Sequence, residues 1–188
     1  GGRYRAERDQ FGAGDPLDFN DNSDTTFDLI GPAIALPAAT PLWLVVYNLG
    51  IPGASAYSGD SAASDVRRPY AGVGGGVSAI SFTSSVVLPF ESPARRFHMV
   101  SNPVSYVCLP SPTGGTLVRH DGYGFPVIQQ QPPAGTTSIL AADVTSCSFT
   151  YSTLEVARSA GLISLSMEMS SDGETVSLFN QIHVSNVP

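Results

Sequence analysis

One serine, three histidines and a scatter of carboxylates are the residues of this chain that could do chemistry. Gly59-Asp60-Ser61 opens like the motif that carries the serine nucleophile of some hydrolases. Such a serine needs a base, supplied in that class by an Asp-x-x-His near the C-terminus. The matching place here reads Asn180-Gln181-Ile182-His183, with no aspartate to orient the imidazole. His98, His120 and His183 stand in no H-x-H or H-x-x-x-H relation, and each falls in a strand-like run. Asp121 follows His120 directly, but neighbours along a strand point to opposite faces, so adjacency makes no dyad. Glu155, Glu168 and Glu174 would form a glycosidase pair only if the fold brought two together, and their spacing fits solvated strand edges. Gly74-Gly75-Gly76 is not a phosphate loop, because the chain contains no lysine and no helix is expected to follow. These patterns point away from an enzyme and call for no cofactor.

Two further groups could bind or cross-link. Asp15, Asp18, Asp21, Asp24 and Asp28 recur at intervals of about three, and carboxylates of that kind suit calcium. The turn glycine and closing glutamate of an EF-hand are missing, so residues 1–28 read as a solvated acidic loop and no metal is expected. Cys108 and Cys147 belong to no CxxC or CxH spacing. They are either two reduced core thiols or one disulfide, and the latter implies a compartment outside the reducing cytoplasm.

Composition narrows the class. With 188 residues, the chain suits one domain over residues 1–188. Its 42% hydrophobic content excludes a disordered chain. All nine basic residues are arginine and the net charge is −7, which disfavours a nucleic-acid partner. No apolar run is long enough to span a membrane and no signal peptide is visible. The chain opens Gly-Gly-Arg-Tyr without a methionine, which suggests a fragment or processed form whose upstream part could carry an anchor.

The elements that would position these residues are strands. Residues 161–188 read as a long hairpin: Ile163, Leu165, Met167 and Met169 alternate with polar residues, Asp172-Gly173 makes a tight turn, and Val176, Leu178, Ile182 and Val184 resume the alternation. That turn sets Met169 opposite Val176, Met167 opposite Leu178, Leu165 opposite Asn180 and Ile163 opposite Ile182. A slip of one residue would oppose apolar to polar throughout. Met167 and Leu178 are expected on the buried face, Glu168 and Ser177 on the exposed one. Residues 42–47 are apolar enough for a strand buried on both faces. Further strands are expected at 78–88, 96–101, 104–108, 116–120 and 147–151, with a turn at Ile139 and Leu140. Residues 48–76 form a long irregular excursion, with a short helix possible at 61–68. The result is a mainly β domain, an antiparallel sheet with a C-terminal β-hairpin and long irregular loops.

Two stretches also carry a recognisable order of blocks. One runs Val100-Ser101-Asn102-Pro103-Val104-Ser105-Tyr106-Val107-Cys108, then Gly115-Thr116-Leu117-Val118-Arg119-His120 and Gly122-Tyr123-Gly124-Phe125. The other runs from Leu140-Ala141-Ala142-Asp143-Val144 through Cys147-Ser148-Phe149-Thr150-Tyr151 and Gly161-Leu162-Ile163-Ser164-Leu165 to Ile182-His183-Val184-Ser185-Asn186-Val187-Pro188. Together with Leu44-Val45-Val46-Tyr47-Asn48-Leu49-Gly50, this resembles the C-terminal β domain of minor pilins of the MSHA (mannose-sensitive haemagglutinin) type IV pilus, of the MshO type. The resemblance implies the head of an α+β pilin fold, made with an N-terminal hydrophobic helix that is absent from this chain. It further implies a non-catalytic structural subunit that primes pilus assembly or sits at the pilus tip and contributes to adhesion. Partners would be other pilin and minor pilin subunits and the assembly machinery. The location would be the periplasm and then the extracellular pilus, with membrane attachment only through the absent helix. The alternative is a secreted ligand-binding or adhesin β-sandwich that uses the 48–76 excursion as a recognition loop, with Tyr57, Arg67, Arg68 and Tyr70 as its contacts.

The cysteines follow from both lines of reasoning. Cys108 closes one alternating strand and Cys147 opens another, so both can point into one core. An exported compartment, which the resemblance favours, would oxidise them, and a Cys108–Cys147 disulfide is expected.

Overall fold

The computed structural model describes residues 1–38, 41–51, 53–57, 65–84, 86–126, 128–153 and 160–185. Among them every regular element is a β-strand and every strand pairing is antiparallel. The mainly β expectation is thus met, while the helix of an α+β head has no counterpart among the described residues. The chain divides into two compact units, Gly1–Ser101 and Asn102–Val187.

The first unit is built on a six-stranded sheet. It consists of β1 (Gly2–Tyr4), β2 (Thr26–Ile30), β4 (Trp43–Val46), β5 (Arg67–Pro69), β7 (Ala79–Ser81) and β8 (Arg96–Val100). Their order is β5-β4-β8-β1-β2-β7, and a separate ribbon pairs β3 (Ile34–Leu36) with β6 (Gly75–Val77). The sheet curls until its outer strands meet just past their ends. There Tyr70 bridges Phe82, Ala71 N–H donates to the Ser81 carbonyl at 2.9 Å, and Thr83 N–H donates to that of Pro69 at 2.9 Å. Curling puts alternate residues of each strand inside. Phe27 and Leu29, Leu44 and Val46, and Ile80, Phe97 and Tyr4 all join one buried cluster. Phe27 lies at its centre, with ring centroids 5.3 Å from Phe97, 6.1 Å from Tyr4 and 6.3 Å from Phe82. Val45 points the other way, onto Ala54 and Val66. β4 is therefore buried on both faces, as its unbroken apolar run requires.

Several sequence expectations change in this unit. Residues 1–28 are not only a solvated loop: β1 lies inside the sheet, and Tyr4, Leu17 and Phe27 are buried. Aromatic anchors outweigh the acidic composition of that stretch. The strand expected over 78–88 stops at Ser81, because the chain beyond it turns to present carbonyls to Arg68. Of the helix considered at 61–68, residues 61–64 lie outside the described residues, and Arg67 and Arg68 are extended in β5. The connector before residue 40 contains β3. Just before its partner strand, Gly74 is required sterically, since a Cβ there would run into the backbone of Pro37 and Ala38.

The second unit holds two three-stranded sheets. β9 (Ser105–Leu109), β10 (Thr116–Asp121) and β11 (Thr136–Ala142) are ordered β11-β10-β9. β12 (Val144–Thr153), β13 (Ala160–Ser171) and β14 (Glu174–Ser185) are ordered β12-β13-β14. The hairpin has the register read from its turn: Met169 opposes Val176, Met167 Leu178, Leu165 Asn180 and Ile163 Ile182. Asp172 and Gly173 have φ of 53° and 85°, the left-handed pair that a type I′ turn needs and that Asp-Gly supplies. Ile139 and Leu140 belong to strand β11 rather than a turn, and the ladder shifts register beside them. The two sheets are joined where Val144 N–H donates to the Gly115 carbonyl and Ser111 N–H to that of Val144, each at 3.0 Å. Gly115 is required there, because a Cβ would collide with the carbonyls of Val144 and Leu109. The Cys108–Cys147 disulfide spans the same seam, with Cα atoms 6.5 Å apart. Around it lies a small core of Leu117, Val144 and Met167.

Burial corrects the face assignment of the hairpin. Met167 is buried, but Leu178 opposite it is 46% exposed, and Val176 and Ile182 are exposed as well. Among the described residues the β14 side of that face is exposed, so alternation there does not by itself mark burial.

Candidate functional site

The residues that could do chemistry remain scattered. Gly59, Asp60, Ser61 and Glu155 lie outside the described residues. His98 is exposed on β8, beside a shallow depression of about 320 Å³ lined by Gly1, Gly2, Arg3, Arg96 and Phe97. His120 and His183 sit in different sheets of the second unit, the first buried and the second exposed. Asp121 turns away from His120 and pairs with Arg119. Glu168 stands opposite Ser177 and Glu174 closes the turn opposite Ser171, so these carboxylates line a solvated ladder.

The aspartates near the N-terminus shape turns. Asp9 accepts N–H bonds from Phe11 and Ala13, Asp18 from Asn20, and Asp21 from Ser23. Asp24 accepts from Asp18 and Thr26, and Asp28 from Asp15. Asp18, Asp21 and Asp24 each accept from the backbone two residues on, the local turn that short polar side chains favour, while Asp24 and Asp28 also tie distant parts of the segment together. Burial, together with the charges of Asp15 and Asp18, pushes the Asp24 carboxyl above its ordinary range, although its N–H bonds oppose this. The Ser23 hydroxyl and N–H hold Asp21 below it. Among the described residues no group of three or more His, Cys, Asp and Glu could hold a metal ion.

The four residues singled out for a recognition loop separate into two kinds. Arg67 and Arg68 are buried in β5 rather than displayed on a loop. The Arg68 guanidinium donates to the carbonyls of Asp65, Arg67 and Val87 at 2.7, 2.9 and 2.9 Å and to the Ser84 hydroxyl at 2.8 Å. Arg67 donates to the Ala56 carbonyl at 2.8 Å and lies 4.7 Å from the Trp43 ring centroid. A buried guanidinium surrounded by carbonyls organises the loops that present them. Tyr57 and Tyr70 are half-buried, and the Tyr70 hydroxyl donates to the Val73 carbonyl.

What the structure displays instead is the β12–β14 sheet. On one face Tyr151, Ile163 and Ile182 stand in one row, and Cys147, Met167 and Leu178 in another. Phe149 and Leu165 continue to Asn180 in a third, and Val144, Met169 and Val176 form a fourth. Among the described residues Val144 and Met167 on this face are buried, and Ile163, Leu165 and Met169 are half-buried. Tyr151, Phe149, Val176, Leu178 and Ile182 are exposed, and Phe179 is exposed on the opposite face. The chain matches no protein-family model, no curated protein and no solved structure. The alternation predicts Met167 and Leu178 on a buried face, whereas Leu178 is exposed together with Val176 and Ile182.

Proposed function

We propose that this chain is the exported, non-catalytic part of a structural subunit of a type IV pilus, a minor pilin that primes assembly or sits at the tip. The observation that carries the reading is the uncovered apolar face of the β12–β14 sheet. A subunit that works by contacting other subunits needs such a surface, and patches of this kind mark protein–protein contact. The Cys108–Cys147 disulfide supports it, because such bonds persist in the periplasm and outside the cell. The block order that resembles MSHA minor pilins supplies the specific identity, including pilin partners and inner-membrane anchoring before assembly. The rival reading, a ligand-binding module working through residues 48–76, is weakened because Arg67 and Arg68 are buried.

The test is made in the host cell. Deleting the gene should reduce the number of surface pili and restoring it should recover them, with the protein detectable by antibody in the sheared pilus fraction. Normal pilus number with no protein in that fraction would overturn the proposal.

A further inference from the structure

The outer edge of β14 carries a self-complementary pattern, and we infer that it pairs with β14 of a second copy of this chain. The pairing is antiparallel about a two-fold axis through Asn180. This inference is independent of the pilus reading.

Outer strands in this unit differ in how well they are protected. β9 is short, and β11 and β12 lie where their ladders shift register, a device that disrupts edge pairing. β14 runs twelve residues with an unbroken register. It contains no proline, lysine or arginine, and its carboxylate, Glu174, stands at the turn. All of residues 174–183 are exposed. Such an edge presents unpaired N–H and C=O groups to any strand that fits.

The sequence specifies which strand fits. In a hairpin closed by a two-residue turn the flanking pair, here Ser171 and Glu174, is hydrogen-bonded, and bonding alternates from there. Ser170 Oγ and Thr175 Oγ1, 2.6 Å apart, sit at the first non-bonded pair, where side chains approach most closely. Even-numbered residues of β14 thus bond to β13, and odd-numbered ones direct their N–H and C=O groups outward. Two copies can pair only odd with odd. With Asn180 on the axis, Val176 meets Val184, Leu178 meets Ile182 and Asn180 meets Asn180, all on the apolar face. On the other face Ser177 meets His183 and Phe179 meets Gln181. Moving the axis to Phe179 would oppose Leu178 to Asn180, and moving it to Gln181 would oppose Asn180 to Ile182. The Phe179 axis would match Val176 with Ile182 and Phe179 with itself, but of these centres only Asn180 sets Val176, Leu178 and Ile182 all opposite apolar residues. It also lets the two Asn180 amides exchange hydrogen bonds across the axis.

The size of the contact sets its strength. Residues 175–185 span ~36 Å at ~3.3 Å per residue, and a sheet edge is ~10 Å deep, so the pair buries about 800 Å² in total. That is below the ~1,200 Å² of a standard stable interface, so the dimer should be weak and reversible.

Cysteine scanning of the full chain tests the register, because both native cysteines are already bonded. Residues facing each other across the axis in a non-bonded pair have Cα atoms ~4.5 Å apart, within disulfide range. Asn180→Cys should therefore form a covalent dimer on mild oxidation of concentrated protein. Leu178→Cys and Ile182→Cys should each stay monomeric alone and link when mixed. Phe179→Pro removes an outward N–H and leaves the β13 ladder intact. Placed in the Asn180→Cys background, it should reduce cross-linking at least tenfold without changing the thermal melt. Sedimentation velocity of the native chain should show a dimer that dissociates on dilution. A monomer at every concentration, or equal self-linking at positions 178, 180 and 182, would overturn the inference.

Discussion

The two units solve the problem of the sheet edge in opposite ways. In Gly1–Ser101 the outer strands curl until Tyr70 bridges Phe82, so a sheet of short strands encloses its own core. In Asn102–Val187 the strands are longer, but the sheets stay open, and their small core lies at the seam with the Cys108–Cys147 disulfide. Strand length and regular alternation do not measure how much a sheet buries. The short, irregular strands carry the larger core, while the longest hairpin leaves Val176, Leu178 and Ile182 of its apolar face in solvent. Curling the sheet converts alternation into burial, and an open sheet needs another surface to do so.

The comparison is sharpest when each unit loses its central tie. Phe27→Ala removes a fully buried ring that touches three other aromatic rings, and it should cost ~3–5 kcal/mol, read by urea denaturation. A loss below ~1 kcal/mol, the size of an ordinary substitution, would mean that the curled sheet does not depend on its aromatic centre. Replacing Cys108 and Cys147 together by serine should cost ~2–4 kcal/mol through the entropy of the opened chain. Hydrogen exchange should show the loosening in residues 102–187 and leave β1, β2, β4 and β8 protected. Equal loosening of both units would show that they do not unfold separately.

Smaller effects separate the two sides of the hairpin. Met167→Ala should cost ~2 kcal/mol, because Met167 packs on Leu117 and Val144. Leu178→Ala, directly opposite, should change stability by ~0.5 kcal/mol or less at concentrations where the chain is monomeric. Equal costs would mean that the face is covered after all. The smallest effect concerns pH. Because the Asp24 carboxyl is raised on folding, the folded chain keeps its proton longer than the unfolded chain. Asp24 therefore withdraws stability as pH rises from the ordinary carboxylate value through the raised one. Asp21 is lowered, so its contribution is present above the ordinary value and fades as pH falls through the lowered one. Carboxyl NMR titration should show Asp21 ionising before Asp24 as pH rises, and the reverse order would contradict both environments.

Much of the local structure follows from sequence alone, because it depends on neighbours along the chain. Asp172-Gly173 selects a type I′ turn, and period-two alternation fixes which residues face each other across β13 and β14. The unbroken apolar run of β4 requires two covered faces and has them. The two cysteines could be placed in strands by the same reasoning, and the structure joins them. Tertiary structure decided the rest. It drew residues 1–28 into the sheet through Tyr4 and Phe27, although their composition reads as solvent-facing. It buried Arg67 and Arg68, because loops elsewhere in the chain supply the carbonyls that satisfy their charges. It also left Val176, Leu178 and Ile182 exposed, because alternation tells which side of a strand is apolar and only the packing partners decide whether that side is covered.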